Sequence, residues 1–114
     1  MQYIILYIRK LPMDIQMKKG LLDVCVLALL SRGDSYGYEL INKLSDVIEV
    51  SESTLYPILK RLEGVGQLVT YSREHNGRLR RYYRITKDGQ KRLSEFDDEW
   101  KEMQKINEFI RGER

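Results

Sequence analysis

Along residues 51–65, SESTLYPILKRLEGV, apolar side chains recur in three- and four-residue steps at Leu55, Ile58, Leu59 and Leu62. At 3.6 residues per turn these positions form one stripe of a helix, a face suited to a core. Ser53, Pro57, Lys60 and Arg61 then point away from the core, and Tyr56 sits between the two faces. Ser51 is the expected N-cap, with Glu52 well placed in the first turn. Pro57 lies past that turn, where it removes a backbone hydrogen bond at a cost of about 3 kcal/mol. A helix beginning at Pro57 would span barely two turns and lose Leu55 from its stripe. The longer helix with a local kink is therefore expected, a broken local rule of the kind that marks a working surface.

Upstream, residues 18–32, KKGLLDVCVLALLSR, are apolar nearly all the way round and predict a buried helix that Gly33 ends. Asp34 and Ser35 are the expected cap of a second helix over YGYELINKLSDVI, whose inward face is Tyr36, Leu40, Ile41, Leu44 and Ile48. The second and third helices, joined by the short EVSES link, form a helix-turn-helix.

After Gly64 and Gly66 the period changes to that of strands, in LVTYSREHNGRLRRYYRI. Asn76-Gly77 is a strong signal for a two-residue hairpin turn. A tight turn pairs Thr70 with Tyr83 and Leu68 with Ile85 and lays one apolar row against the helices; a longer loop would shift that register. Thr86 then caps a last helix over residues 87 to about 110, roughly 36 Å long at 1.5 Å per residue. Leu93, Phe96, Trp100, Met103, Asn107 and Ile110 alternate three- and four-residue steps along it, the seam of a coiled coil. The same helix of a second subunit is the natural partner for that seam, giving a twofold dimer. Asn107 either fixes its register or is solvated near the helix end.

The chain of 114 residues fits one domain with a core of its own. Its charge is more informative divided than summed. Residues 51–92 carry ten basic and four acidic side chains, residues 1–50 six of each, and residues 93–114 four basic and seven acidic. The excess of cations is thus concentrated on the third helix and hairpin, where Arg73, Arg78, Arg80, Arg81 and Arg84 alternate with Tyr71, Tyr82 and Tyr83. That pattern suits a polyanion better than a merely solvated face.

Other classes find less support. The apolar run YIILYI at residues 3–8 is too short to span a bilayer, and Arg9 and Lys10 follow it, whereas a signal peptide carries its positive charge in front. Residues 1–12 are either a short element packing on the domain or a partner, or a dispensable extension preceding a start at Met13. Cys25 is the only cysteine, so no intrachain disulfide forms, and its apolar setting suggests a buried thiol in a cytoplasmic protein. His75, the only histidine, sits at the hairpin tip. No nucleophile has a base at recognisable spacing, and one Cys and one His far apart make no metal site, so neither an enzyme, a cofactor nor a metal is expected. A helix-turn-helix and hairpin used only for protein contacts is the competing class, but it leaves the central arginines without a purpose.

The strings SYGYEL (35–40), STLYPILKRLE (53–63) and GRLRRYYRIT (77–86), with Gly89 following, resemble the PadR-type transcriptional regulators over about residues 13–110. The resemblance implies a mainly α fold with a small β-hairpin: a winged helix-turn-helix over residues 13–86 and a C-terminal dimerisation helix over 87–114, similar to the short subgroup. It implies repression of nearby genes, released by a small effector; with a twofold dimer, the operator in double-stranded DNA should then be a near-palindrome. By likeness, Tyr36, Ser53, Thr54, Tyr56 and Lys60 fall at the DNA, with the hairpin arginines as the wing; Arg61, on the outward face of the same helix, is a further candidate by its position. Trp100 lies seventeen residues after Tyr83, as in short members whose tryptophan stacks on flat hydrophobic compounds at the dimer centre. With Phe96 and Met103 it would form an effector site, which Asp97, Asp98, Glu99 and Glu102 would bias towards cationic aromatics. The other reading of Trp100 is an interface anchor.

Overall fold

The computed structural model describes residues 14–114, so the expectations for residues 1–12 lie outside the described residues. Helix α1 spans Ile15–Ser31, starting three residues before the apolar pattern suggests. The reason is a cap: the Asp14 carboxylate accepts from the backbone N–H groups of Gln16 (3.0 Å) and Met17 (3.2 Å). Such an anchor fixes where a helix starts independently of the apolar repeat that follows.

The connection after α1 departs from expectation. Asp34 and Ser35 cap nothing; instead Ser35–Tyr36 form a two-residue strand, β1. Its backbone groups find partners on a later strand, and the Ser35 hydroxyl donates to the Glu39 carboxylate at 2.6 Å. Helix α2, Gly37–Leu44, is shorter than the pattern YGYELINKLSDVI predicts. The N–H groups of Val47 and Ile48 fold back onto the Leu44 carbonyl, and Ile48 and Val50 reach the core from this turn rather than from the helix.

Helix α3, Glu52–Gly64, runs through Pro57 as expected, and its stripe of Leu55, Ile58, Leu59 and Leu62 is buried. Ser51 occupies the N-cap position without capping a backbone N–H. Its hydroxyl is engaged by the Ser53 hydroxyl at 2.9 Å and the Thr54 hydroxyl at 3.1 Å.

Strands β2 (Leu68–His75) and β3 (Arg78–Ile85) form the hairpin in the tight register, Thr70 opposite Tyr83 and Leu68 opposite Ile85. Asn76 (φ 52°) and Gly77 (φ 80°) both take positive φ, the conformation that a two-residue turn matching the strand twist requires. The sheet order is β1-β3-β2, antiparallel throughout, so β3 is the central strand.

Helix α4 spans Lys87–Ile110, as the pattern predicts, with the Thr86 hydroxyl accepting from the Gly89 N–H at 3.2 Å. A second subunit was the expected partner for the whole seam, but the start of the seam packs within the chain. The first half of α4 lies against α1, and Leu93, the first residue of the seam, joins the edge of the core formed by α1, α2, α3, Leu68 and Tyr83. Phe96 is half-buried, whereas Trp100 (45 % exposed), Met103 (46 %) and Ile110 (73 %) are uncovered in the single chain. Cys25 is half-buried at the core edge, where desolvation raises its thiol pKa.

Candidate nucleic-acid interface

The buried stripe of α3 forces the rest of that helix outward. Ser53, Thr54, Pro57, Lys60 and Arg61 are all exposed, and Tyr56 is 44 % exposed. Tyr56 leans back onto α2: its ring lies so close over Gly37 that only a residue without a Cβ fits beneath it.

Beside this helix the sheet turns an aromatic row to the side away from the core. Tyr36 on β1, Tyr82 on β3 and Tyr71 on β2 stand in register across the three strands. Tyr36 and Tyr82 meet edge to face, and Tyr71 and Tyr82 stack, both at 5.6 Å between ring centres. Arginines placed diagonally on the neighbouring strand cover the rings. Arg80 lies 4.4 Å above Tyr36, Arg84 4.8 Å above Tyr71 and Arg73 5.7 Å above Tyr82. Such stacking keeps a guanidinium extended and partly desolvated while leaving its N–H edge available, so less ordering entropy is lost on meeting a phosphate.

The cations are not equivalent. Arg61 donates to both oxygens of Asp23 at 2.7 Å, tying α3 to α1. Arg81 reaches Glu63 on α3 at 3.4 Å and the Thr70 hydroxyl at 3.3 Å. Arg84 bonds Asp34 at 3.0 Å, and the Tyr71 hydroxyl donates to the same carboxylate oxygen at 2.5 Å. Burial alone would raise the Asp34 pKa, but these two hydrogen bonds and the charges of Arg84 and Arg73 outweigh it and hold the carboxyl below its ordinary range. The bond to Asp34 raises the Tyr71 pKa, and the Ser35 hydroxyl, against a smaller cost of burial and with help from Lys43, lowers that of Glu39. Among the described residues, Lys60, Arg73, Arg78 and Arg80 have no carboxylate within ion-pair distance, so their charge is uncommitted.

Two clefts join helix and wing. One, of 570 Å³, is lined by Tyr36, Gly37, Tyr38, Tyr56, Arg80, Arg81 and Tyr83, where the start of α2 meets α3 and β3. The other, of 320 Å³, lies between Lys60 and Glu63 of α3 and Arg81 and Tyr83 of β3. The structure thus brings Tyr36, Tyr56, Lys60, Arg80 and Arg81 to one continuous surface. Ser53, Thr54 and Arg61 border a separate cleft with α1, and Arg78 stands at the hairpin tip. Phe96, Asp97, Trp100 and Met103 lie apart from all of these, on α4.

Several participants escaped the sequence reading. Asp23 and Glu63, each engaging an arginine, look like ordinary surface carboxylates in sequence, although Glu63 lies on the same helix as the basic residues, and Asp34 was expected as a helix cap rather than as the partner of Arg84. Tyr38 and Gly37 were visible as part of SYGYEL but not as the wall and floor of a cleft.

A helix-turn-helix followed by an arginine-bearing hairpin packed beside its second helix is a winged helix, the architecture of a class of DNA-binding regulators. Within that class the chain belongs to the PadR-like family of transcriptional regulators, whose family model matches residues 26–95. It is similar to a Streptococcus mutans protein of known crystal structure, with 41% identity over 82% of this chain and 90% of that one and a TM-score of 0.73. A PadR-like transcriptional regulator from Bacillus cereus is 34% identical, covering 83% of this chain and 96% of its own, with a TM-score of 0.74. Bacillus subtilis PadR, solved in complex with operator DNA, is 22% identical over 67% of this chain and 46% of its own; its TM-score of 0.62 is a likeness of fold. No helix among the described residues is long and apolar enough to cross a membrane.

Proposed function

We propose that two copies of this chain, paired through α4, bind a near-palindromic DNA operator and repress transcription until a small effector releases them. The observation that carries the reading is the continuity of the exposed face of α3 with the tyrosine-backed arginines of the wing, through the clefts at Tyr56, Arg80 and Arg81. In this reading α3 enters a major groove, where Ser53, Thr54 and Tyr56 contact base edges or fix the register. Lys60, Arg73, Arg78 and Arg80 hold phosphates, with Arg61 and Arg81 contributing less because carboxylates share their charge.

The dimer is supported by the uncovered seam of α4, where Trp100, Met103 and Ile110 lie beyond the reach of the core that Leu93 joins. Residues 13–86 then act as the reading unit and 87–114 as the pairing unit. Two reading helices related by a twofold axis meet half-sites about one helical turn, roughly 34–36 Å, apart. A planar hydrophobic or cationic compound between the α4 helices, stacked on Trp100 beside Phe96, Met103 and Asp97, would act by favouring a dimer geometry with a different spacing.

The decisive experiment titrates the protein against its own upstream region at two salt concentrations. Affinity should fall steeply as salt rises, through released counterions, and binding indifferent to salt overturns the reading. For the effector, planar dyes should quench Trp100 fluorescence and weaken operator binding; a broad panel without quenching leaves Trp100 as an interface anchor.

A further inference from the structure

The outer face of α3 has two flanks, and the wing covers only one of them. Tyr56, Lys60 and Glu63 recur at four- and three-residue steps and look towards Arg81 and Tyr83. Ser53, Thr54, Pro57 and Arg61 look the other way, into a cleft of 330 Å³ whose far wall is Lys19 of α1. Lys19 is exposed and, among the described residues, has no carboxylate within ion-pair distance. One helical turn further along α1, Asp23 grips Arg61 through both carboxylate oxygens. That clamp fixes α1 against α3 at this flank and partly neutralises Arg61, leaving Lys19 as the uncommitted cation there.

A major groove is about 12 Å wide, so a helix lying in it has a phosphate strand on either side. We infer that Lys19 holds the DNA backbone on the strand across the groove from the wing, so that α3 is gripped from both flanks, with Asp23 and Arg61 acting as positioning residues. The inference rests on the DNA-binding reading above and adds a contact on an element outside the helix-turn-helix and wing. A compact ammonium on a flexible stem suits this place: it meets a single phosphate oxygen without the bidentate geometry that would demand a fixed approach.

The test uses the full-length chain and duplex operators carrying neutral methylphosphonates at single backbone positions. With the parent protein, substitutions on both strands should weaken binding. Within each half-site, Lys19→Ala should abolish the sensitivity at the phosphates facing α1 on one strand and leave that of the opposite strand, while Arg80→Ala should reduce the opposite strand's and leave the first. Lys19→Ala should also weaken operator and random duplex by the same factor. With two such lysines in a dimer, the slope of log K against log salt should fall by about 1.8. Lys19→Arg, which keeps the charge, should restore both. If the parent binds duplex and Lys19→Ala leaves the backbone pattern and salt slope unchanged, this inference is wrong and the DNA reading stands. A parent chain that binds no duplex overturns both.

Discussion

The Tyr56 hydroxyl oxygen on α3 lies 2.5 Å from the point that a Cβ on Gly37, the first residue of α2, would occupy. The contact holds the aromatic ring in the wall of the cleft that Arg80 and Arg81 also line. Gly37→Ala should push the ring outward. Because the clashing atoms end a side chain that can swing, and alanine favours the helix by up to about 1 kcal/mol, net stability should change by less than about 1 kcal/mol. Operator affinity should fall more. In a Tyr56→Ala background the same change should be nearly silent, so a double-mutant cycle read by both thermal unfolding and DNA titration isolates the contact.

Gly89 is a harsher case. A Cβ there would stand 2.6 Å from Cγ1 of Ile85 and collide with the Gln67 carbonyl oxygen, which is backbone and cannot swing aside. Gly89→Ala should cost about 1–3 kcal/mol by lifting α4 from the sheet. The midpoint of thermal unfolding should drop by about 4–8 °C for each kcal/mol. An unchanged midpoint would mean that the start of α4 is free to shift.

Asp34 links the turn after α1 to both strands of the hairpin, through Arg84 and Tyr71. Its pKa is lower folded than its ordinary value of 3.8, so the link stabilises the fold fully above that value and is lost as pH falls through the native one. Asp34→Asn should therefore destabilise at neutral pH, and the gap from the parent should close as pH drops below 3.8. Denaturant melts across that range give the answer; a gap that widens in acid would reverse the sign.

The arginines should separate by their commitments. Arg80→Ala removes an uncommitted guanidinium resting on Tyr36, so it should weaken specific and random duplexes alike and flatten the salt dependence. Arg81→Ala should do less, because Glu63 already shares that charge. Loss of sequence preference with unchanged random-duplex affinity after Arg80→Ala would assign it to base reading instead.

If two copies pair through α4 as proposed, Met103→Asp on the uncovered seam should leave single chains, seen by sedimentation at working concentration. The thermal transition of the reading unit should persist, because Met103 is 46 % exposed in the single chain and contributes little to the core. A variant that stays dimeric would point to pairing through another surface.

What the chain order already encodes is whatever repeats within one or two turns or straddles one tight turn. The α3 stripe of Leu55, Ile58, Leu59 and Leu62 appeared as read. So did the Asn76-Gly77 turn with its register, the Thr86 cap and the extent of α4, because each is set by neighbours a few residues apart. Helix ends were less legible: Asp14 lay outside the apolar period, and Ser51 bonded to Ser53 and Thr54 instead of the backbone.

Partner choice needed the folded molecule. Strand β1 has two residues, too few for any periodicity, and exists only because β3 offers it an edge. Arg61 with Asp23, Tyr71 with Asp34 and Arg84 with Asp34 join residues 38, 37 and 50 positions apart; local pattern leaves Asp23 looking solvated and gives Asp34 the place of a helix cap, and neither reading points to these partners. The sum of basic charge around α3 was therefore readable from the order of residues. Which cations are spent within the fold and which are left to meet a phosphate was decided by packing, because an ion pair is defined by distance in space, to which spacing along the chain is blind.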